Sequence, residues 1–172
     1  ADFEAVVKRS RTVAEMMSKG VQFLLKKNNV DVINGFGKIV KDKKVEVTKA
    51  DGTTETFEAQ HIILATGARS RSLPNVQQDG KKIIGYREAL TLPKLPASMV
   101  VMGSGAIGSE LAFFYASMGT KVTIVEYLPN LVPVEDEEIS KQLERSFRKA
   151  GIKTMTSAAV ESVDTTGELC KV

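Results

Sequence analysis

The sequence predicts an α/β fold built on a parallel sheet, and three neighbouring features carry this prediction. The apolar run Met99 to Met102 has the character of a short buried strand. Glycines at the spacing G-x-G-x-x-G follow it directly, and apolar residues then recur at helical spacing up to Gly119. Lys121 to Glu126 alternates in polarity and is rich in β-branched residues, which indicates a second strand. Strand, glycine turn, helix and strand in this order predict a βαβ unit of the Rossmann type.

Each of the three glycines has a separate predicted role. Gly103 permits the tight turn, Gly105 lets the backbone approach a pyrophosphate, and Gly108 lets the helix pack close to the strand. The first-turn amides and the positive end of the helix dipole then face the anion. Glu126 ends the second strand, where a carboxylate accepts hydrogen bonds from a ribose diol and repels a 2′-phosphate, so NAD is predicted rather than NADP. The alternative is a glycine turn that only connects strand and helix.

Composition narrows the class of protein. The 172 residues include 24 basic and 21 acidic side chains, a net charge of +3 that gives no case for nucleic-acid binding. No run of about 18 apolar residues is present, so no membrane span is predicted. The one cysteine, Cys170, excludes an intramolecular disulfide and fits a reducing compartment.

The residues before the glycine turn predict one long helix followed by short strands. Residues from about 3 to 28 have an apolar stripe at helical spacing. Asp51 and Gly52 indicate a hairpin. His61 to Ala65 is an apolar run typical of a buried strand, and it ends in Thr66-Gly67. The other strands predicted here are Val30–Ile33, Lys38–Val40, Lys44–Thr48 and Thr53–Ala59.

A linker, two helices and two strands are predicted on either side of the βαβ unit. A polar linker from Ala68 to about Lys82 and a short helix over Tyr86 to Leu90 precede it. Residues 135–149 predict a helix with acidic residues in its first turn and basic residues in its last. The acidic cluster has no His or Cys beside it, so we interpret it as a solvated helix start and predict no metal site. Strands are predicted over Ile152–Met155 and Ala158–Val163.

Several motifs in order resemble the flavoprotein disulfide reductases, and in particular their lipoamide branch. The long helix is followed by "VINGFG", by a three-stranded β-meander and by "HIILATG". After the linker come "ALTLPKLPASMVVMGSGAIGSELA" and "VTIVEYLPNLVPVEDEEISKQLERSFRKAGI". The resemblance covers nearly the whole chain and is more specific than the glycine motif alone.

The resemblance implies an organisation in two parts. Members of the family have an FAD domain, an NAD domain inserted within it, and a C-terminal interface domain. The chain contains neither the family's first glycine motif nor its C-x-x-x-x-C, and it lacks the C-terminal His-Glu pair and the Gly-Asp motif. We therefore expect the middle of a longer enzyme, with part of the FAD domain in residues 1–73 and an NAD domain, truncated at its C-terminal end, in residues 74–172. No catalytic residue of the family falls in the chain, and His61 and Cys170 are interpreted as structural and passive.

The resemblance also implies cofactor contacts. Glu126 would hold the adenosine ribose and Val160 would lie beside the adenine. Glu110 would approach the nicotinamide carboxamide and the flavin edge, although the family's lysine partner is absent and an ordinary helix carboxylate is the alternative. The residues that would wrap the NAD pyrophosphate or lie close to it are Gly103, Ser104, Gly105, Ala106, Ile107 and Gly108. The positions implied for FAD are Gly37, Thr66, Gly67 and Ala68, the last in a loop that departs from the family's "ATGS-x-P".

Two classes of function follow from these patterns. In the first, the parent passes electrons from a dithiol through a disulfide and FAD to NAD. The lipoamide branch does this with dihydrolipoamide, as a homodimer within 2-oxoacid dehydrogenase complexes. For such a protein we expect a bacterial cytoplasm, with the mitochondrial matrix as the alternative. The fragment alone would be inactive. Mercuric, trypanothione and glutathione reductases are sister activities, but the NADP-using members place Arg near Glu126, where this chain has Tyr127-Leu128. In the second class, the chain is a dinucleotide-binding module without redox chemistry.

Overall fold

The computed structural model describes all 172 residues, and they form two compact units. One unit comprises residues 11–69, and the other comprises residues 1–10 together with 70–172. The first helix, α1 (Phe3–Lys27), begins in the second of these units and continues into the first. The division at 73/74 into an FAD domain and an NAD domain stays a prediction, because the two compact units are defined by the chain alone and not by bound cofactors.

The unit of residues 11–69 contains a three-stranded antiparallel sheet. Its strands are β1 (Phe36–Val40), β2 (Lys44–Thr48) and β3 (Thr54–Glu58), in the order β1-β2-β3. The predicted hairpin is confirmed, because β2 pairs antiparallel with β3. In its turn the Asp51 carboxylate accepts bonds from the Thr53 amide and hydroxyl at 2.9 and 2.6 Å, and Gly52 has a φ of +83°.

Two strands predicted in this unit are absent. Val30–Ile33 forms no strand, and neither does His61–Ala65. A parallel-type strand is stable only between neighbours that satisfy its amides and cover its side chains. No strand pairs with residues 61–65, and Ile63 and Leu64 are 90% and 70% exposed. Periodicity identified an apolar segment correctly, but it could not supply the pairing partners that such a strand needs.

The predicted amphipathic helix is confirmed, but little of its apolar stripe is covered. Phe3 is buried against Phe114 and Tyr115, with ring centroids 6.2 and 6.0 Å apart. Further along α1, Met17 and Leu24 are 69% and 55% exposed. In residues 11–27 these side chains therefore form an apolar helix face that no core covers.

The second unit is built on a parallel sheet with the order β4-β5-β6, where β4 is Ser98–Met102, β5 is Lys121–Val125 and β6 is Lys153–Met155. Both strand pairs are parallel, as the βαβ pattern requires. The connections contain α3 (Ala106–Met118) and α4 (Glu137–Lys149), and a short α2 (Tyr86–Ala89) precedes the sheet. Gly119 ends α3 with a φ of +108°, the left-handed conformation of a helix C-cap. The α/β fold class predicted from the sequence is confirmed.

The core of this unit lies on one face of the sheet. Val122 and Ile124 of β5 are buried with Ala112 and Tyr115 of α3 and with Phe147 of α4. The alternate residues Val100, Met102 and Met155 are 41%, 37% and 42% exposed. Side chains of successive strand residues point to opposite faces, so one face of the sheet is packed and the other is open.

The last predicted strand is also wrong. Residues 158–163 form no strand, and beyond them only an isolated bridge joins Asp164 to Lys171, through bonds of 2.9 and 3.0 Å. The Lys82 ammonium holds this bend by donating to the carbonyls of Thr165 and Gly167 at 2.7 and 2.5 Å. The segment is thus fixed by a lysine and one bridge rather than by a sheet. No helix in the chain has both the length and the apolar character to cross a bilayer.

Candidate dinucleotide-binding site

The glycine turn connects β4 to α3. Gly103 has a φ of +95°, a conformation that costs free energy for any residue with a side chain. Its amide donates to the Val125 carbonyl at 2.8 Å, which holds the end of β4 beside the end of β5. Gly105 is the N-cap of α3, and its carbonyl accepts from the Ser109 amide at 2.9 Å. The turn role predicted for Gly103 is confirmed.

The other two glycines differ in their surroundings. A Cβ built on Gly108 would overlap the carbonyl oxygen of Gly103 and lie 3.3 Å from a Val101 methyl group. Close packing of helix on strand therefore requires glycine there, as predicted. A Cβ on Gly105 would meet no atom within 4 Å, so this position faces open space. The approach of a pyrophosphate to that space stays a prediction.

Ser104 connects three segments at the carboxyl edge of the sheet. It is fully buried, and both its amide and its hydroxyl donate to Oε2 of Glu126 at 2.7 Å. The Val132 amide lies 3.1 Å from the Ser104 hydroxyl and 3.2 Å from its carbonyl. The Ser109 hydroxyl donates to the same carbonyl at 2.9 Å. The glycine turn, the end of β5 and the loop before α4 therefore form one hydrogen-bonded unit.

Glu126 is the acid that follows β5, and it is only 7% exposed. Its second oxygen, Oε1, accepts from the Leu128 amide at 2.9 Å. Burial raises the pKa of this carboxyl. Hydrogen bonds from the Leu128 amide, from the Ser104 amide and hydroxyl, and from the Tyr127 amide lower it by more than burial raises it, so the pKa is below its ordinary value. Glu126 is therefore ionised at neutral pH, and its charge lies beside the turn.

The remaining NAD-side positions lie around this centre. Ala106 and Ile107 form the exposed first turn of α3, and Glu110 is an exposed carboxylate on the same helix. Val160 is half-buried in the segment after β6. That segment is held beside Glu126, whose carbonyl accepts from the Ala158 amide at 2.9 Å. The structure thus places the turn, the acid and the backbone leading to Val160 at one edge of the sheet.

The FAD-side positions lie in the unit of residues 11–69. Gly37 is part of β1, opposite Val47 of β2. Thr66, Gly67 and Ala68 form exposed irregular backbone, and Gly67 has a φ of +76°. These positions share a unit, but they are not joined into a hydrogen-bonded centre like the one at Ser104.

The residues set aside as nonfunctional are exposed. His61 lies on the surface, and so does the free thiol of Cys170. The acidic cluster begins α4, as predicted, because the Asp136 carboxylate caps that helix by accepting from the Glu138 amide at 2.8 Å. No group of three or more His, Cys, Asp or Glu side chains has the arrangement of a metal site.

Sequence reasoning missed what Ser104 contacts. The motif places this residue near the pyrophosphate, and the glycine spacing alone does not indicate its bonds to Glu126. The available signal was topological, because adjacent parallel strands bring their carboxyl ends together. The first residue after Gly103 and the acid that ends the next strand are therefore expected neighbours. A serine at this position can donate a hydrogen bond to the acidic neighbour.

The parallel βαβ unit, the glycine turn and the buried acid define a Rossmann-type fold of the FAD/NAD(P)-binding class. Residues 2–172 match the family model described as pyridine nucleotide-disulphide oxidoreductase. The chain belongs to this family.

Relatives similar in sequence agree with that assignment. The chain is 49% identical over 162 residues to a dihydrolipoyl dehydrogenase of Chlorobaculum parvum, and 44% identical over 162 residues to one of Zymomonas mobilis. These alignments cover 94% of the chain but 34% and 35% of the two relatives, so the chain spans about a third of their length.

Solved structures show the same fold. A crystal structure of LpdA from Mycobacterium tuberculosis matches with a TM-score of 0.87 at 32% identity, over 97% of this chain and 38% of that one. The HOCl-induced flavoprotein disulfide reductase RclA of Escherichia coli matches with a TM-score of 0.87 at 26% identity, over 99% of this chain and 39% of that one. The resemblance to the flavoprotein disulfide reductases is thereby confirmed.

Proposed function

We propose that the chain is the central, NAD-binding portion of a flavin-dependent oxidoreductase that oxidises dihydrolipoamide with NAD. The observation that carries the NAD assignment is the ionised, buried Glu126 held against the glycine turn. The lipoamide assignment is supported by the relatives named dihydrolipoyl dehydrogenase, at 49% and 44% identity. When bound, the nicotinamide group supplies the hydride chemistry, and the residues of this chain bind and orient it.

The residues present fit a dinucleotide. The amides from Gly103 to Ile107 and the N-terminus of α3 would receive the pyrophosphate, and the open space at Gly105 leaves room for it. Glu126 would accept a bond from the adenosine ribose, and its charge would repel a 2′-phosphate. Val160 would lie beside the adenine, and Glu110 would be directed toward the nicotinamide side. On the same proposal, Gly37, Thr66, Gly67 and Ala68 contribute to an FAD site.

Several properties of the whole protein belong to the same proposal. Residues 1–73 would be part of the FAD domain and residues 74–172 would form most of the NAD domain. The whole protein would be a homodimer that works within a 2-oxoacid dehydrogenase complex. Both bacterial relatives and a mitochondrial relative from Arabidopsis thaliana are found, which supports a bacterial cytoplasm or a mitochondrial matrix. The 172-residue chain has one cysteine, so alone it would be inactive toward lipoamide.

A sister reductase is the second candidate. RclA, a flavoprotein disulfide reductase, matches with the same TM-score of 0.87 as LpdA, although at lower identity. The fold at this level does not distinguish the dithiol or other substrate that reduces the flavin. Identity of 49% to a dihydrolipoyl dehydrogenase favours the lipoamide branch.

Calorimetric titration of the chain with NADH and NADPH tests the dinucleotide assignment. We expect NADH to bind more tightly by about 1–3 kcal/mol, the cost of leaving a charged hydrogen-bonding group badly paired. Equal affinities or an NADPH preference would remove the basis for NAD. A dihydrolipoamide:NAD assay with added FAD tests the inactivity of the chain, and flavin-dependent turnover above the contaminant level would contradict it.

A further inference from the structure

The Ser104 hydroxyl has two hydrogen bonds at once. It donates to Oε2 of Glu126 at 2.7 Å and accepts from the Val132 amide at 3.1 Å. The Ser104 amide donates to the same Oε2, also at 2.7 Å. Because the residue is fully buried, water cannot take over either bond if the hydroxyl is removed.

These bonds give the two carboxylate oxygens of Glu126 different hydrogen-bond partners. An ionised carboxylate has about four acceptor positions, two on each oxygen. Both positions on Oε2 are taken by Ser104, and one on Oε1 is taken by the Leu128 amide. The Tyr127 amide also bonds to the carboxylate, so every donor other than Ser104 is a backbone amide of the loop after β5. The carboxylate therefore has a fixed orientation before any ligand arrives.

We propose that Ser104 is a positioning residue for dinucleotide selectivity, because it holds Oε2 against the turn and thereby fixes the orientation in which the Glu126 carboxylate meets a ribose hydroxyl. This inference rests on the proposed NAD site. A fixed carboxylate accepts a bond from a 2′-hydroxyl without reorganisation, and it cannot rotate away from a 2′-phosphate. Without the serine hydroxyl the carboxylate gains rotational freedom, so it binds NADH less well and repels NADPH less strongly. Loss of the hydroxyl therefore changes the ratio of the two affinities.

The test compares Ser104→Ala with a control that also loses a buried hydroxyl. Thr120 is 5% exposed and donates to the Pro96 carbonyl at 2.8 Å, away from the turn, so Thr120→Val is that control. Calorimetric titration with NADH and NADPH gives the affinity ratio for each variant. We expect Ser104→Ala to lower the ratio about tenfold, the effect of one lost charge-assisted bond, and Thr120→Val to leave it unchanged. An equal loss for both nucleotides in Ser104→Ala would overturn the proposal, because a merely structural serine would produce that result.

A double-mutant cycle shows whether Ser104 acts through Glu126. In the Glu126→Gln background, Ser104→Ala is expected to cause no further change in the ratio, and a further tenfold change would overturn the proposal. If Ser104→Ala does not fold, Ser104→Cys keeps the volume with a weaker donor and is expected to lower the ratio by a smaller factor. An unchanged ratio there would also overturn it. If the wild-type chain does not prefer NADH, the proposed function is overturned as well. If the wild-type chain prefers NADH and Ser104→Ala keeps the same affinity ratio, only this inference is overturned.

Discussion

Gly108 lies so close to Gly103 that any β-carbon on Gly108 would overlap the Gly103 carbonyl oxygen. The contact joins the first turns of α3 to the end of β4, and the Val101 side chain encloses it from the strand. It is a backbone contact, so no rotamer change can relieve an added methyl group. Gly105, three residues away, has no atom within 4 Å of the equivalent position. The two glycines belong to the same motif, but Gly108 permits close backbone packing whereas Gly105 borders open space.

This difference gives the first prediction. Gly108→Ala is expected to destabilise the chain by about 1–3 kcal/mol or more, because the added carbon must displace backbone. Gly105→Ala is the matched control and is expected to cost under about 1 kcal/mol, because alanine is a poorer N-cap than glycine but its methyl group meets no atom. Urea unfolding measures both. Only the Gly105 variant also reports on the ligand, since its methyl group would occupy the proposed pyrophosphate space and weaken NADH binding. Equal stabilities for the two variants would refute this account of the turn.

The second prediction concerns the charge on Glu126. Its folded-state pKa is lowered, so its ionised form stabilises the fold above the ordinary pKa of 4.5, and this contribution is lost as the pH falls through the lowered folded value. Glu126→Gln removes the charge and replaces one of the two acceptor oxygens with an NH2 group, so either Ser104 or Leu128 loses its acceptor. At pH 7 the variant is expected to be less stable by about 1–3 kcal/mol.

The pH dependence separates this effect from simple misfit. The difference between wild type and Glu126→Gln should be constant near neutrality and should shrink as the pH falls below about 4.5. Exposed acids with lowered pKa values, such as Asp51 and Asp79, are present in both proteins and cancel in the comparison. Urea unfolding at several pH values measures it. A difference that stays constant down to pH 3 would mean that the Glu126 charge has no part in stability.

Tyr115 provides the third prediction. It is fully buried, and its hydroxyl donates to the Ala89 carbonyl at 2.5 Å, which connects α3 to α2. Burial raises the pKa of this phenol, so it stays a donor beyond the ordinary value of 10. Tyr115→Phe leaves the carbonyl without this partner and is expected to cost about 1–3 kcal/mol. Tyr86→Phe is the control, because the Tyr86 hydroxyl accepts only from the exposed Arg87, and it should cost under about 0.5 kcal/mol. Thermal unfolding that ranks the two variants in the reverse order would contradict this.

The sequence was most informative where structure is set locally. Helix α3 ends at Gly119 and α4 begins after Asp136 because a left-handed glycine and a capping carboxylate determine those ends within a few residues. The βαβ order also allowed the position of Glu126 at the carboxyl edge to be predicted. The orientation of its carboxylate could not be predicted, since it depends on Ser104, 22 residues earlier, and on the Leu128 amide in the loop that follows β5. The strand expected at 61–65 failed for a related reason, because a strand needs partners that periodicity does not reveal.

The fourth prediction follows from that segment. Residues 61–65 have no place in a sheet and Ile63 is 90% exposed, whereas residues 100–150 contain β5 between two strands and the buried core beneath it. Amide exchange requires opening of a hydrogen bond, so the two segments should differ strongly in protection. Hydrogen exchange followed by mass spectrometry should show slow exchange across 100–150 and fast exchange at 61–65. Running the experiment at two protein concentrations tests whether a second copy of the chain covers the apolar segment, because protection would then rise with concentration. Strong protection of 61–65 in a proven monomer, independent of concentration, would contradict the prediction, since it would require pairing partners for that segment within a single chain.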